Sequence, residues 1–230
     1  HRYDLDELHE AILSGKSADE VMLEYPKAYR YSGHLRDLET AQMMAAPGAR
    51  EIRSDLRVWW VYGAPGVGKT FAAYELDSGA YRVSDYQRDP FGFYRGEDLL
   101  VLDEYAGQLS YKLFLQVTDI YPLQLPCRYM NRPALFTRVL ILSNESPWQI
   151  FGNRPGVSMK AVLRRLNGGV FRMEENGESG RRLCQIPRDE DERERLINSG
   201  VSDSPFKSIP AFLCECPRSG SITQPKLDLF

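Results

Sequence analysis

The 230-residue chain is 43% hydrophobic and 27% charged, with a formal net charge of −3. This composition is typical of a globular protein and excludes a chain that is disordered over most of its length. No apolar stretch approaches the roughly 18–20 residues needed to cross a bilayer, and four cysteines are too few for a disulfide framework. We therefore expect a soluble protein from a reducing compartment, with one core and small appendages at either end.

Residues 1–52 are predicted to form small helices. The first helix is indicated by four apolar side chains on one helical face, Leu5, Leu8, Ile12 and Leu13. A capping box formed by Ser17 and Glu20 predicts a second helix, and apolar residues near Leu35 predict a third. Helices of this size bury little surface alone, so we expect them to pack on the core or on a neighbouring subunit.

The middle of the chain alternates between β-rich runs and helical segments. The β-rich runs are residues 58–62, 81–83, 99–102, 139–142 and 170–173. The helical segments are residues 70–76, 111–119 and 158–166. This order predicts an α/β fold with a mainly parallel sheet flanked by helices. Residues 174–230 are polar, and we expect an irregular C-terminal extension there.

Charge is unevenly distributed along the chain. Residues 1–24 hold seven acidic side chains against two basic ones, whereas residues 121–165 hold seven basic side chains against Glu145 alone. A negatively charged partner would meet the second segment, although a solvated surface produces the same pattern. Within that segment, residues 123–136 are predicted to form a β-hairpin that turns around residues 129–131.

One segment carries a phosphate-binding pattern. Residues 63–70 match G-x-x-x-x-G-K-[S/T] and lie between a predicted strand and a predicted helix. Glycines let backbone N–H groups converge on a phosphate at a helix N-terminus. Lys69 would add charge across the β- and γ-phosphates, and the Thr70 hydroxyl would hold Mg²⁺. The predicted nucleotide-binding residues are Gly63, Ala64, Pro65, Gly66, Val67, Gly68, Lys69 and Thr70.

Two other apolar runs end in polar residues. Asp103 and Glu104 directly follow residues 99–102, as expected of a buried parallel strand that delivers acids to the carboxyl edge of a sheet. Asp103 would bind the Mg²⁺ shell, and Glu104 would polarise the attacking water. Asn144 follows the run at 139–142 and would sense the γ-phosphate or the lytic water, although taken alone it is better explained as an ordinary turn residue before Pro147.

These three elements, in this order, resemble the Walker A, Walker B and motif C set of superfamily 3 helicases. Segments around them look like the replication-associated (Rep) proteins of circovirus-type viruses with circular single-stranded DNA, namely residues 23–30, 59–63, 94–97 and 119–123. The resemblance runs from about residue 8 to residue 171. It implies an AAA+-like ATPase that uses ATP and Mg²⁺ and binds single-stranded DNA. It also implies a homo-oligomer, a hexamer in the family, in the host nucleus.

The same resemblance implies two further sites. In the family, a β-hairpin between Walker B and motif C carries a basic loop that touches DNA phosphates, and Arg128 is the matching base here. Tyr129 would stack on a nucleobase or pack in the loop, and it stands with Met130 where the family often has glycines. The segment holding Arg164 and Arg165 resembles the one that supplies an arginine finger to the neighbouring subunit's ATP. The residues leave open which of the two it is.

Rep proteins begin with a nickase domain, which requires a His-hydrophobe-His motif and a Tyr-x-x-Lys motif. The three histidines, His1, His9 and His34, form no such pair, and no lysine stands three residues after a tyrosine. We therefore expect no DNA nicking or joining by this chain. Its opening on His1 rather than Met is compatible with a fragment whose upstream domain has been removed.

The chain is open to three functional hypotheses. The first is an ATP hydrolase and DNA helicase of rolling-circle replication, with an oligomerisation region at 1–52, an ATPase core at 53–173 and an extension at 174–230. The second is a P-loop kinase for a small acceptor, which Glu104 and Asn144 disfavour because they suit attack by water. The third is a nucleotide-binding switch or a decayed Rep relic without DNA-coupled hydrolysis.

Overall fold

The computed structural model describes residues 5–128, 130–176 and 180–189. In these residues the strands are β1 (Arg57–Tyr62), β2 (Tyr81–Val83), β3 (Leu99–Leu102), β4 (Gln124–Leu125), β5 (Arg132–Pro133), β6 (Arg138–Ser143), β7 (Gly169–Asn176) and β8 (Gly180–Ile186). A six-stranded sheet has the order β2-β3-β6-β1-β7-β8, and β4 pairs with β5 separately. All neighbours in the large sheet are parallel except β7 and β8. The prediction of a mainly parallel sheet is confirmed.

The central strands end at one edge of the sheet. Tyr62 at the end of β1 lies beside Ser143 at the end of β6, and Leu102 at the end of β3 lies beside Ile141. These strands are almost wholly buried, as uninterrupted apolar sequences require of parallel strands covered on both faces. The segments that follow β1, β3 and β6 therefore emerge side by side.

Helices cover both faces of the sheet. The α-helices are α1 (Leu5–Leu13), α2 (Ala18–Glu24), α3 (Ser32–Ala45), α4 (Lys69–Leu76), α5 (Tyr111–Val117), α6 (Pro147–Phe151) and α7 (Met159–Arg165), with a 3₁₀ helix at Pro26–Tyr31. Alternation along β1 sends Trp60 to one face and Trp59 to the other. Trp60 packs in a cluster with Phe114 of α5 and Phe151 of α6, whereas Trp59 shares a cluster with Ala73 of α4. No helix among the described residues is long and apolar enough to cross a membrane.

The helices before the sheet form an apolar cluster of their own. Its buried members are Leu8, Ile12, Ala18, Val21, Ala28 and Leu35. The predicted capping box is present, since the Ser17 hydroxyl accepts from the Glu20 N–H and the Glu20 carboxylate accepts from the Ser17 N–H. The predicted apolar face of α1 is wrong at Leu5 and Leu13, which are 48% and 54% exposed. A helix this short presents one stripe to α2 and α3, and these two leucines lie outside it.

The chain after Met173 is more regular than expected. Strand β7 continues to Asn176, and β8 pairs with it in antiparallel register, with Phe171 beside Gln185. The expectation of an irregular extension is therefore wrong for residues 174–176 and 180–186. Strand β8 forms because the edge of β7 is available and Leu183 joins the apolar cluster that contains Met173. Residues 190–230 lie outside the described residues.

Candidate functional site

The loop that carries the phosphate-binding pattern joins β1 to α4. Gly66 and Gly68 have φ angles of 83° and 90°, in the left-handed region that glycine tolerates. A Cβ on Gly63 would come within 2.3 Å of the Met173 carbonyl oxygen, so the loop needs glycine there to approach β7. Val67 is buried in the cluster under α4 and anchors the loop. The loop's outer residues, Ala64, Pro65 and Gly66, are exposed.

Lys69, the first residue of α4, is folded back over this loop. Its Nζ donates to the carbonyl oxygens of Gly63 at 2.8 Å and Ala64 at 2.9 Å, and to Oδ1 of Asn144 at 2.9 Å. Burial lowers the pKa of Lys69, while Asp103 and Glu104 oppose that shift. The lysine thereby joins the loop after β1 to the residue after β6.

Thr70 and Asp103 meet beside the lysine. The Thr70 hydroxyl lies 3.1 Å from each carboxylate oxygen of Asp103, which is buried at 3% exposure. The Glu104 N–H donates to Asp103 at 3.0 Å, and Arg82 of β2 forms an ion pair with it at 3.1 Å. A hydroxyl and a carboxylate are hard oxygen ligands of the kind Mg²⁺ takes, usually with several retained waters. The described residues contain no group of three or more His, Cys, Asp or Glu that could form another metal site.

Glu104 occupies a strained backbone position. Its φ is 49°, a left-handed conformation that costs a non-glycine residue about 1–3 kcal/mol and often accompanies function. The turn is stabilised by Gln108, which donates to the Glu104 carbonyl at 3.0 Å and accepts from the Ala106 N–H at 2.7 Å. The Glu104 side chain is exposed beside the buried Asp103.

Asn144 is exposed at the start of the loop after β6, and Trp60 holds that loop. The indole N–H of Trp60 donates to the carbonyl of Glu145 at 3.1 Å, and the Glu145 N–H donates to the Ser143 hydroxyl at 3.0 Å. Ser146 then caps α6 with a capping box. Sequence patterns alone cannot link Trp60 to the loop that carries Asn144, because the contact of Trp60 with Glu145 depends on the register of β1 with β6.

The predicted hairpin is confirmed as β4 and β5, and Arg128 lies exposed in its loop. The Arg128 N–H donates to the carboxylate of Asp89 at 3.1 Å. Asp89 belongs to the connection between β2 and β3, which also contains Tyr86, whose hydroxyl donates to the Asp103 carbonyl at 2.7 Å. One connection therefore touches both Asp103 and the hairpin. Tyr129 lies outside the described residues.

The two arginines of α7 have different surroundings. Arg165 is nearly buried and donates to the Leu115 carbonyl at 3.0 Å and to the Asp119 carboxylate at 2.5 Å. Arg164 is exposed, and its side chain has no hydrogen bond or ion pair with the described residues. Arg165 thus links α7 to α5, while Arg164 points away from the packed core.

The sequence resembles replication-associated proteins of circoviruses, and no protein-family model matches it. It is 31% identical over 137 residues to that of beak and feather disease virus, covering 60% of this chain and 45% of that protein. It is 28% identical over 170 residues to that of pigeon circovirus, covering 73% and 50%. With that of porcine circovirus 2 it shares 27% over 133 residues, covering 57% and 42%. The chain spans about half the length of the relatives it matches, and these similarities support a circovirus-like Rep.

Proposed function

We propose that this chain is the ATP-driven motor of a circovirus-like Rep protein. It would be an ATP hydrolase and superfamily 3 DNA helicase with an AAA+-like core, acting on single-stranded DNA during rolling-circle replication in the host nucleus. The observation that carries the proposal is the meeting of Lys69, Thr70, Asp103 and Asn144 at the carboxyl ends of three neighbouring strands. The similarity to circovirus replication-associated proteins supports the role in replication.

The phosphates of ATP would lie on residues 63–70. The first N–H groups of a helix have no partner within the helix, so the start of α4 offers donors to an anion, and Lys69 adds a positive charge. Thr70 and Asp103 would hold Mg²⁺ through their oxygens. When bound, the ion neutralises charge on the transferred phosphate.

Two exposed side chains would act on the attacking water. Glu104 would orient the water and receive its proton. The strained backbone of Glu104, with a φ of 49°, sets the direction in which its side chain leaves the backbone. Asn144 accepts from Lys69 through Oδ1, so its NH₂ group keeps two donors for the γ-phosphate or the water. A nucleophilic water explains the pairing of these residues better than a small-molecule acceptor does.

The assembly proposed is a homo-oligomeric ring, a hexamer by family resemblance. Arg164 is our choice for the arginine finger, since it is exposed and uncommitted within the described part of the chain. The contacts of Arg165 with Leu115 and Asp119 support this choice, because they already engage its guanidinium within the same subunit. An arginine supplied by a neighbouring subunit accelerates nucleotide hydrolysis by several orders of magnitude in related systems.

Single-stranded DNA would contact the hairpin loop through Arg128. Hydrogen bonds from the connection between β2 and β3 reach both the Asp103 carbonyl and the Arg128 backbone, which supports coupling of the hairpin to the nucleotide. A nucleotide-binding switch or decayed relic would keep the same ATP residues and lose this coupling.

The test is the steady-state ATPase rate with and without single-stranded DNA, in the wild type and in Lys69→Ala, Arg128→Ala and Arg57→Ala. Arg57 is an exposed arginine at the opposite end of β1 and serves as the matched control. Stimulation by DNA that Lys69→Ala and Arg128→Ala lose, and Arg57→Ala keeps, supports the motor. Hydrolysis indifferent to DNA would favour the switch or relic, and no hydrolysis in the wild type would overturn the ATPase proposal.

A further inference from the structure

Arg82 is a charged residue in the middle of β2, the strand at one edge of the sheet. Its neighbours Tyr81 and Val83 face the cluster that contains Trp60, so Arg82 faces the side covered by α4. There its Nε lies 3.1 Å from Oδ2 of Asp103, and its Nη1 lies 3.2 Å from the hydroxyl of Tyr74 in α4. Arg82 thus contacts both helix α4, which carries Thr70, and Asp103, the carboxylate that Thr70 contacts.

The ion pair is unequal in its exposure. The Asp103 side chain is 4% exposed, whereas the Arg82 side chain is 37% exposed. A buried carboxylate is costly unless charge or hydrogen bonds compensate it. Thr70 and Glu104 supply neutral donors, and Lys69 directs its hydrogen bonds elsewhere. Among the described residues, Arg82 is the cation that forms an ion pair with Asp103.

We infer that Arg82 is the resident counter-ion of Asp103 and competes with Mg²⁺ for that carboxylate. The inference rests on the proposed function, because it assigns Mg²⁺ to Thr70 and Asp103. A carboxylate oxygen engaged by a guanidinium is less available to a metal ion or its water shell, and the two cations repel each other. Arg82 therefore raises the Mg²⁺ concentration that the site requires to hold Mg·ATP.

Tyr74 gives the arginine a second partner. The Arg82 guanidinium carbon lies 5.9 Å from the centre of the Tyr74 ring, within the range of a cation–π contact. Nη1 of Arg82 also donates to the Tyr74 hydroxyl. When Mg²⁺ displaces Arg82 from Asp103, the arginine keeps its contact with Tyr74. The exchange therefore breaks one ion pair and leaves the rest of the Arg82 side chain in place. Arg82 is a positioning residue in this scheme, since it acts through Asp103.

The decisive measurement is the Mg²⁺ concentration that half-saturates binding of a fluorescent, non-hydrolysable ATP analogue. We expect it to fall about three- to tenfold in Arg82→Gln, to stay near wild type in Arg82→Lys, and to be unchanged in Arg88→Gln. Arg88 is an exposed arginine in the connection after β2 and controls for loss of one positive charge. An unchanged or higher requirement in Arg82→Gln would overturn the inference.

A second measurement needs no nucleotide. Thermal unfolding of Arg82→Gln, Asp103→Asn and the double variant forms a double-mutant cycle. We expect Arg82→Gln to lower the melting temperature by about 2–4 °C, and to do so much less when Asp103 is already Asn. If the two substitutions changed the melting temperature additively, Arg82 and Asp103 would not be energetically coupled, and the ion pair would be overturned. Absence of Mg²⁺-dependent analogue binding in the wild type would instead overturn the proposed function, whereas normal wild-type binding with an unshifted Arg82→Gln overturns only the inference about Arg82.

Discussion

The ammonium of Lys69 lies 2.9 Å from the side-chain oxygen of Asn144, which follows a different strand. Without the Asn144 amide, Lys69 still has its two carbonyl partners, so nucleotide binding should survive. The N–H donors that Asn144 would offer to the γ-phosphate or the attacking water are lost. We expect Asn144→Ala to lower kcat about a hundredfold, as loss of a transition-state donor does, and to change analogue affinity only a few-fold. Asn153→Ala, at an exposed asparagine after α6, is the control. A large loss of affinity with an unchanged kcat would contradict this role.

Substitution of the two arginines of α7 should affect different properties of the protein, stability for Arg165 and ATP hydrolysis for Arg164. Arg165→Ala removes contacts with Leu115 and Asp119 and should lower the free energy of unfolding by about 2–3 kcal/mol. Arg164→Ala should leave unfolding unchanged and abolish most hydrolysis, because its proposed target belongs to a neighbouring subunit. Urea unfolding and ATPase rates measure the two effects.

Mixed oligomers test the arrangement of Arg164 further. Lys69→Ala and Arg164→Ala should each retain little ATPase activity alone, but mixing them creates sites with an intact lysine from one subunit and an intact arginine from the next. We expect partial recovery of the ATPase rate on mixing. Failure to recover, in oligomers shown to exchange subunits, would place the arginine in the same subunit as the lysine it serves.

Asp98 should make stability depend on acidic pH. Burial raises the pKa of this carboxyl, but hydrogen bonds from Thr137 and the charge of Arg138 outweigh it and lower the pKa below 3.8. Because the pKa of Asp98 is lower in the folded than in the unfolded protein, the ionised carboxylate stabilises the fold above pH 3.8. That stabilisation is lost as the pH falls through the pKa of Asp98 in the folded protein.

The matching variant is Asp98→Asn. It should destabilise the protein by about 1–3 kcal/mol at neutral pH, and the difference from wild type should shrink as pH falls below about 4. Urea unfolding at a series of pH values measures this, with Asp55→Asn at an exposed position as control. A difference that stays constant through the acid range would show that Asp98 contributes through its shape rather than its charge.

Trp60→Phe should affect catalysis through the loop that carries Asn144. The substitution removes the indole donor to the Glu145 carbonyl and should cost about 1–2 kcal/mol of stability. We expect a lower ATPase kcat in this variant and not in Trp59→Phe, where the ring faces the opposite side of β1. Equal kcat values in the two variants would exclude a role for the hydrogen bond in positioning Asn144.

The elements predicted from sequence agree with the structure where the pattern alone decides them. Strands β1, β3 and β6 are uninterrupted apolar runs bounded by polar residues, and their ends were predicted to within one residue. The sequence pattern does not predict strand β8, because its pairing depends on the edge of β7. Helix α6 is also absent from the predicted elements, although Ser146 and Gln149 form a recognisable capping box and Pro147 stands at the first helical position.

The candidate site divides in the same way. Residues at the ends of adjacent parallel strands must come together, so the nearness of Lys69, Asp103 and Asn144 could be predicted from their positions alone, while their roles stay predictions. Arg82 could not be found, because a single arginine in a three-residue strand has no sequence signature. Its contact with Asp103 depends on the register of β2 beside β3.

In the described part of the chain, no strand pairs with the outer edge of β2. Free edges are where separate molecules add strands to each other and aggregate, and proteins discourage this with short edge strands and charged residues. Only three residues long, with an arginine at its centre, β2 is a poor template for such growth. Arg82, which forms the ion pair with Asp103, thus also protects solubility. Loss of its charge would promote aggregation at high protein concentration, even without nucleotide.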